Sequence, residues 1–156
     1  MDLCDLERRI SMLEDLEAIK NLKAQYCAHL DERDTAASAE LFVEDGVWDG
    51  GETFGRYEGR TAIRKFFHDV QEDALRFSLH YVSNPYLELR AAGVAYGCWY
   101  LFMPCTYRDQ AVWGAGRYED LFVKVGERWL AKEMKVVSHF WTPFDRGWVE
   151  QRALEA

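Results

Sequence analysis

Thr61-Ala62-Ile63-Arg64-Lys65-Phe66-Phe67-His68-Asp69-Val70-Gln71-Glu72-Asp73 is followed, three residues later, by Phe77-Ser78-Leu79-His80-Tyr81-Val82-Ser83-Asn84. In the first stretch Ile63, Phe66, Phe67 and Val70 recur at steps of three and four, which gathers them on one helix face. In the second the period drops to two: Phe77, Leu79 and Tyr81 alternate with Ser78, His80, Val82 and Asn84. From here the helical rhythm does not return. Four β-like segments follow, at about residues 76–90, 93–107, 112–125 and 128–142. Ala91-Ala92-Gly93, Arg108-Asp109-Gln110 and Val125-Gly126-Glu127-Arg128 are the turns between them.

Upstream the chain is mostly helical. Leu6, Ile10, Leu13, Leu16, Ile19, Leu22, Tyr26 and Leu30 predict a helix over residues 3–31, with Ser11 and Glu14 spaced to cap a restart within it. Asp34 is placed to cap a second, short helix ending near Phe42. Glu44-Asp45-Gly46 is a turn, and Val47-Trp48-Asp49-Gly50-Gly51 reads as a strand entering a Gly-rich hairpin that returns through Phe54 to Tyr57. Three N-terminal helices ahead of a run of strands define an α+β fold, with helices on one face of a strongly curved, mostly antiparallel sheet that encloses a pocket. Gly97, Gly114 and Gly116 are available to bend that sheet. With no repeat, linker or low-complexity tract, residues 1–156 read as one domain, with a core over about 10–142 and a polar tail at 143–156.

Composition narrows the function. The formal charge of −8 lacks the basic surface that nucleic acid or an anionic membrane requires. Aromatic residues make up 15% of the chain, enough ring surface to wall a pocket for a flat, apolar small molecule. Cys4, Cys27, Cys98 and Cys105 form no metal-binding spacing and fit free thiols in a reducing compartment. No apolar run suits a signal peptide or a membrane helix, so a cytoplasmic protein is expected.

Among the groups able to do chemistry, His80 stands out. Its strand carries mostly polar groups on the even face, and that face meets either solvent or the tip of a pocket. His29 and His68 read as surface residues, whereas His139 reads as a structural, subunit-contact or second pocket residue. Asp31 ends the first helix, where the macrodipole disfavours an acid. Two readings stand for it: a turn residue, or the partner of an imidazole whose tautomer it sets. Tyr26 lies about 140° round the helix from Asp31, and periodicity alone assigns it to the core.

Residues 14–31, Glu-Asp-Leu-Glu-Ala-Ile-Lys-Asn-Leu-Lys-Ala-Gln-Tyr-Cys-Ala-His-Leu-Asp, resemble the opening helix of the SnoaL-like family in the nuclear-transport-factor-2-like (NTF2-like) superfamily. Leu79-His80-Tyr81-Val82-Ser83-Asn84, Gly97-Cys98-Trp99-Tyr100-Leu101 and Arg128-Trp129 resemble later strands of the same fold. The likeness spans about residues 10–142 and is closest in pattern to bile acid 7α-dehydratase, scytalone dehydratase and hexachlorocyclohexane dehydrochlorinase. The resemblance implies a cone of curved sheet closed by helices, a homotrimer, and neither metal nor organic cofactor. It puts an aspartate–histidine dyad on Asp31 and His80, and a pocket tyrosine on Tyr26. This chain has Met103 where the bile acid enzyme has an acid, and Ser138, beside His139, where it has an arginine; a steroid-type substrate is therefore in doubt. Trp48, Phe54, Trp99, Trp113, Phe140 and Trp141 are the rings available to face the pocket.

The function so implied is a cofactor-independent lyase acting on a small aromatic or alicyclic alcohol or diol, lignin-derived compounds among them. It would eliminate water, halide or formaldehyde by Asp–His acid–base catalysis. The alternatives are an isomerase or cyclase of the same superfamily, and a non-catalytic binding or assembly module like a dioxygenase small subunit.

Overall fold

The computed structural model describes residues 2–154. Helix α1 (Leu3–Asp31) is one continuous run, capped by Asp2, whose carboxylate accepts the Asp5 N–H at 2.8 Å. The restart expected at Ser11 does not occur, and Ser11 and Glu14 are simply exposed helical positions. Only the second half of α1 lies against the sheet: Ile19, Leu22, Lys23, Tyr26, Cys27 and Leu30 are buried, whereas Leu3, Leu6, Ile10 and Leu13 are exposed. Asp34 caps α2 (Thr35–Glu40) through the Ala37 N–H. Strand β1 (Phe42–Asp49) begins earlier than the sequence suggested, because Phe42 already pairs with Ala131 of the last strand.

The Gly-rich hairpin holds an unexpected single helical turn, α3 (Gly51–Phe54), before β2 (Arg56–Glu58). Gly51 has φ 63°, which glycine adopts freely, and Asp49 accepts its N–H at 2.9 Å. Helix α4 (Arg60–Asp73) buries Ile63, Phe67 and Gln71. Strands β3 (Leu75–Ser78), β4 (Tyr81–Ala91), β5 (Val94–Tyr107), β6 (Gln110–Val125) and β7 (Arg128–Pro143) follow, and a single turn, α5 (Gly147–Glu150), lies in the tail. Two single-turn helices are thus added to the three expected.

The seven strands form one sheet in the order β2-β1-β7-β6-β5-β3, with β4 also paired to β5; every pairing is antiparallel except β1 with β7. Long β5, β6 and β7 curl around the helices. The β6–β7 register shifts between Ala115 and Gly116, and a Cβ on Gly116 would lie 2.4 Å from the Val137 carbonyl. Gly114 gives its space to the Trp141 ring, which a Cβ would meet at 2.3 Å. The result is the NTF2-like cone, with its core between the concave sheet and α1, α2 and α4.

The segment expected as one strand over residues 76–90 is two. Ser78 pairs with Cys105 and Tyr81 with Phe102, so the register continues across the break. At Leu79-His80 the ladder lapses opposite Met103-Pro104, where proline has no N–H to give. Leu79 still donates to the Pro104 carbonyl at 3.1 Å. The His80 N–H turns away to the end of α1 instead.

Candidate functional site

Asp31 receives that N–H. Its Oδ2 accepts from the His80 backbone at 2.9 Å, while Oδ1 lies 2.6 Å from His80 Nδ1 and accepts from Ser78 Oγ at 3.2 Å. A carboxylate can only accept, so Nδ1 carries a proton towards Asp31, and in the neutral ring Nε2 is the nitrogen with the lone pair. The dipole of α1 disfavours an acid here, but three donors on one carboxylate offset it. The His80 side chain is 6% exposed and Asp31 is 19% exposed. The imidazole is thus held by its own backbone and by its ring, and it lines a cavity.

That cavity is the interior of the cone. Its volume is about 80 Å³, and its walls include Tyr26, Trp48, Phe54, Phe66, Met103 and Trp141. Almost all of the lining is apolar; Thr53, Gln71, Ser138, His80 and the two phenols Tyr26 and Tyr118 bring the polar atoms. Sites for drug-sized ligands run to roughly 300–1,000 Å³, so this one suits a compact single ring rather than a fused polycycle.

Tyr26 is completely buried. Burial pushes its hydroxyl well above the usual phenol range, so it keeps its proton. Trp48 Nε1 donates to its oxygen at 2.8 Å. An indole N–H cannot accept, so in that bond Tyr26 is the acceptor, and Tyr118 is a second side-chain hydrogen-bond neighbour of the same hydroxyl. Tyr118 stands edge-on to it, with ring centroids 6.0 Å apart, and burial likewise holds the Tyr118 proton.

Beneath Tyr118 lies a pair that the sequence reading missed. Lys23 Nζ is 2.9 Å from Asp120 Oδ2 and 3.1 Å from the Tyr118 ring centroid, and both charged side chains are buried. Burial drives both towards neutrality: it lowers Lys23, and it pushes Asp120 up to about 6 against the pull of the Lys23 charge. Asp120 Oδ1 has no partner among the described residues.

Four rings or imidazoles offered for the pocket lie outside it. Trp99 is on the inward face of β5 but deeper, packed on Phe122 with its centroid 5.9 Å away. Trp113 points outward, because the buried positions of β6 are the even ones; it stacks on Phe102 and Phe144. His139 is exposed, and the register shift passes it over: Ser138 pairs with Gly116 and Phe140 with Ala115. Phe140 also turns outward and stacks on Trp148. Tyr26, Trp48, Phe54, Met103, Trp141 and His80 are all at the cavity.

A curved-sheet cone with a carboxylate-held imidazole and a buried phenol in its cavity has the architecture of the NTF2-like class. The chain belongs to the SnoaL-like domain family, whose model matches residues 11–135. Among solved structures it resembles a proposed scytalone dehydratase from Novosphingobium aromaticivorans, at 25% identity over 87% of this chain and 91% of that one, with a TM-score of 0.79. A proposed aromatic ring hydroxylase from the same organism is also 25% identical, over 84% of this chain and 94% of that one, with a TM-score of 0.78. The hexachlorocyclohexane dehydrochlorinase LinA type 2 shares the fold at 21% identity, over 90% and 93% of the two chains, with a TM-score of 0.80. No curated protein sequence matches. Among the described residues no helix is long and apolar enough to cross a membrane.

Proposed function

We propose that this protein is a lyase that works by side-chain acid–base chemistry on a small aromatic or alicyclic alcohol or diol. The observation that carries the reading is the double hold of Asp31 on His80, which commits Nδ1 to the carboxylate on a ring that lines an apolar cavity and makes Nε2 the nitrogen able to take a proton. Nε2 takes a proton from the substrate, and the carboxylate compensates the positive charge that develops on the ring. When that proton comes from carbon, the electron pair left behind forms the new double bond and expels the group on the neighbouring carbon, either as halide or as a hydroxyl that takes the proton from the imidazolium and leaves as water. When it comes from a hydroxyl, the O–H electrons form the carbonyl of a released aldehyde such as formaldehyde, and the pair from the broken C–C bond either expels a leaving group on the next carbon or takes the proton back from the imidazolium. Tyr26 donates its hydrogen bond to the oxygen that gains charge. Positioned proton transfer of this kind contributes roughly 10²–10⁴-fold, with orientation and exclusion of water adding to it. The names of two similar structures, a dehydratase and a dehydrochlorinase, support elimination, and the small cavity favours a single ring over a steroid.

The test is turnover. Aromatic alcohols, 1,3-diols and chlorinated rings are incubated with the protein, and mass spectrometry reads loss of water, hydrogen chloride or formaldehyde. A loss present in the wild type and absent from His80→Ala and Asp31→Asn supports the lyase. Turnover that survives His80→Ala overturns the mechanism.

We also propose a cytoplasmic homotrimer. Four free thiols suit a reducing compartment. On the convex sheet face Tyr81, Tyr100, Phe102, Trp113 and Phe144 form a largely exposed aromatic surface of the kind that marks a contact. Light scattering is expected to give a trimer for the wild type and a smaller species for Phe102→Glu; a wild-type monomer would remove this part of the proposal.

A further inference from the structure

The chain beyond β7 folds back over the rim of the cone. The Phe144 N–H donates to the Ala111 carbonyl at 2.9 Å, and the Trp141 N–H to the Arg152 carbonyl at 2.8 Å, so the tail is tied down at two points. Between it and the β5–β6 turn is a polar cleft of about 300 Å³, lined by Tyr107, Arg108, Gln110, Asp145, Arg146 and Gln151. It is distinct from the apolar cavity but shares a wall with it. The Tyr107 ring packs edge-on against Phe54 and Trp141, with centroids 6.0 and 5.8 Å away, and those two rings line the cavity.

Arg108 and Arg146 bring two positive charges to this cleft, in a chain whose formal charge is −8. Neither guanidinium makes an ion pair among the described residues. The carboxylate nearest in sequence to Arg108, Asp109, is engaged by Arg76 at 3.6 Å. Asp145 shares the cleft without pairing to either arginine, so the balance is two positive charges to one negative. Arg108 stacks near the Tyr107 ring, 5.4 Å from its centroid, which orients the side chain and uses none of its N–H donors. Arg108 and Asp109, with φ of 49° and 62°, form the two-residue turn between Tyr107 and Gln110, which places Arg108 at the tip of the β5–β6 hairpin.

Unspent guanidinium forks match the paired oxygens of a carboxylate or an inorganic oxyanion. We propose that the cleft is an oxyanion-binding site in which Arg108 and Arg146 are the ligating residues. It stands independently of the lyase reading. Two sources share the chemistry: the carboxylate of an organic acid, and a free inorganic oxyanion.

The experiment is an NMR titration of the full chain with benzoate, with sulfate and with chloride, at matched ionic strength. It follows the Arg108 and Arg146 Nε–H signals in the wild type, Arg108→Gln and Arg146→Gln. Both arginines are exposed, so the variants are expected to fold, as their remaining amide spectrum would confirm. Benzoate or sulfate is expected to give saturable shifts that chloride does not, with affinity lowered about tenfold in either variant, the effect of losing one charge-assisted hydrogen bond. Tighter binding of benzoate assigns the site to organic acids, and tighter binding of sulfate assigns it to inorganic oxyanions. Shifts that follow ionic strength alike for all three salts, or that are unchanged in both variants, overturn the proposal.

Discussion

Both oxygens of Asp31 reach His80: Oδ2 takes its backbone N–H at 2.9 Å, and Oδ1 meets its ring nitrogen Nδ1 at 2.6 Å. A two-point hold fixes where the strand opens and which ring nitrogen is protonated. Asp31→Asn keeps the size but supplies a single acceptor and an NH₂ that cannot accept. The amide must then leave either the backbone or Nδ1 unsatisfied, or force the other tautomer on the ring. Turnover of whichever substrate responds is expected to fall about 10³–10⁴-fold, by analogy with other carboxylate-held histidines, while the thermal midpoint moves by only a few degrees. A variant within tenfold of wild type would show that the Asp31–His80 contact is architectural.

Trp48 and Tyr26 give a second test, of a donor rather than a base. Trp48→Phe removes the N–H that occupies one lone pair of the buried Tyr26 oxygen. A buried acceptor left without its donor costs about 1–3 kcal/mol, which chemical denaturation reads. Activity is expected to fall less than in Tyr26→Phe, because the Tyr26 proton is still present but no longer oriented. Equal losses in the two variants would mean that Trp48 acts on the substrate directly.

The fold is legible from period alone, and the places where the sequence misleads have local causes. The lapse at Leu79-His80 depends on Pro104, on another strand, and on Asp31, at the end of a helix; neither contact lies within the segment's own pattern. Gly50-Gly51 signals a turn equally well with or without the single helical turn that follows. Trp113 is different, because its outward direction is readable: Val112, Tyr118 and Phe122 share even parity on β6, which leaves the odd residues outside. His139 is not readable in this way, since a register shift resets parity on β7. The pairing of Asp31 with His80 spans 49 residues, and only family resemblance brings the two together in the sequence. Lys23 falls on the stripe of Ile19, Leu22, Tyr26 and Cys27, and a charge on an apolar helix face is a signal that a buried partner exists.

That partner, Asp120, makes a prediction about stability. Lys23→Met alone leaves a buried carboxyl with neither oxygen bonded to a cation, and Asp120→Leu alone leaves a buried ammonium. Each is expected to cost about 3–5 kcal/mol, whereas the double variant, which removes both charges, should cost far less than the sum. Equilibrium denaturation of the four proteins measures the coupling. Simple additivity would indicate that the two groups do not stabilise each other despite their 2.9 Å separation.

Asp15 carries the pH prediction. Its Oδ1 accepts from Lys124 Nζ at 2.7 Å and from Trp129 Nε1 at 2.8 Å, which ties the middle of α1 to the β6–β7 hairpin. Burial pushes the carboxyl up, but the two hydrogen bonds and the Lys124 charge together outweigh it and hold Asp15 below its usual 3.8. The bond to Asp15 likewise holds Lys124 above its usual 10.5. A depressed carboxyl stabilises the fold above its unfolded pKa, and that contribution disappears as pH falls through the lowered folded value. A raised lysine stabilises below its unfolded pKa and loses its contribution as pH rises through the raised folded value. The stability difference between wild type and Asp15→Asn is therefore expected to be flat between about pH 5 and 9 and to shrink on both sides. Urea denaturation across that range reads it. A difference that widens below pH 4 would reverse the sign and show that burial, not the Lys124 and Trp129 contacts, governs Asp15.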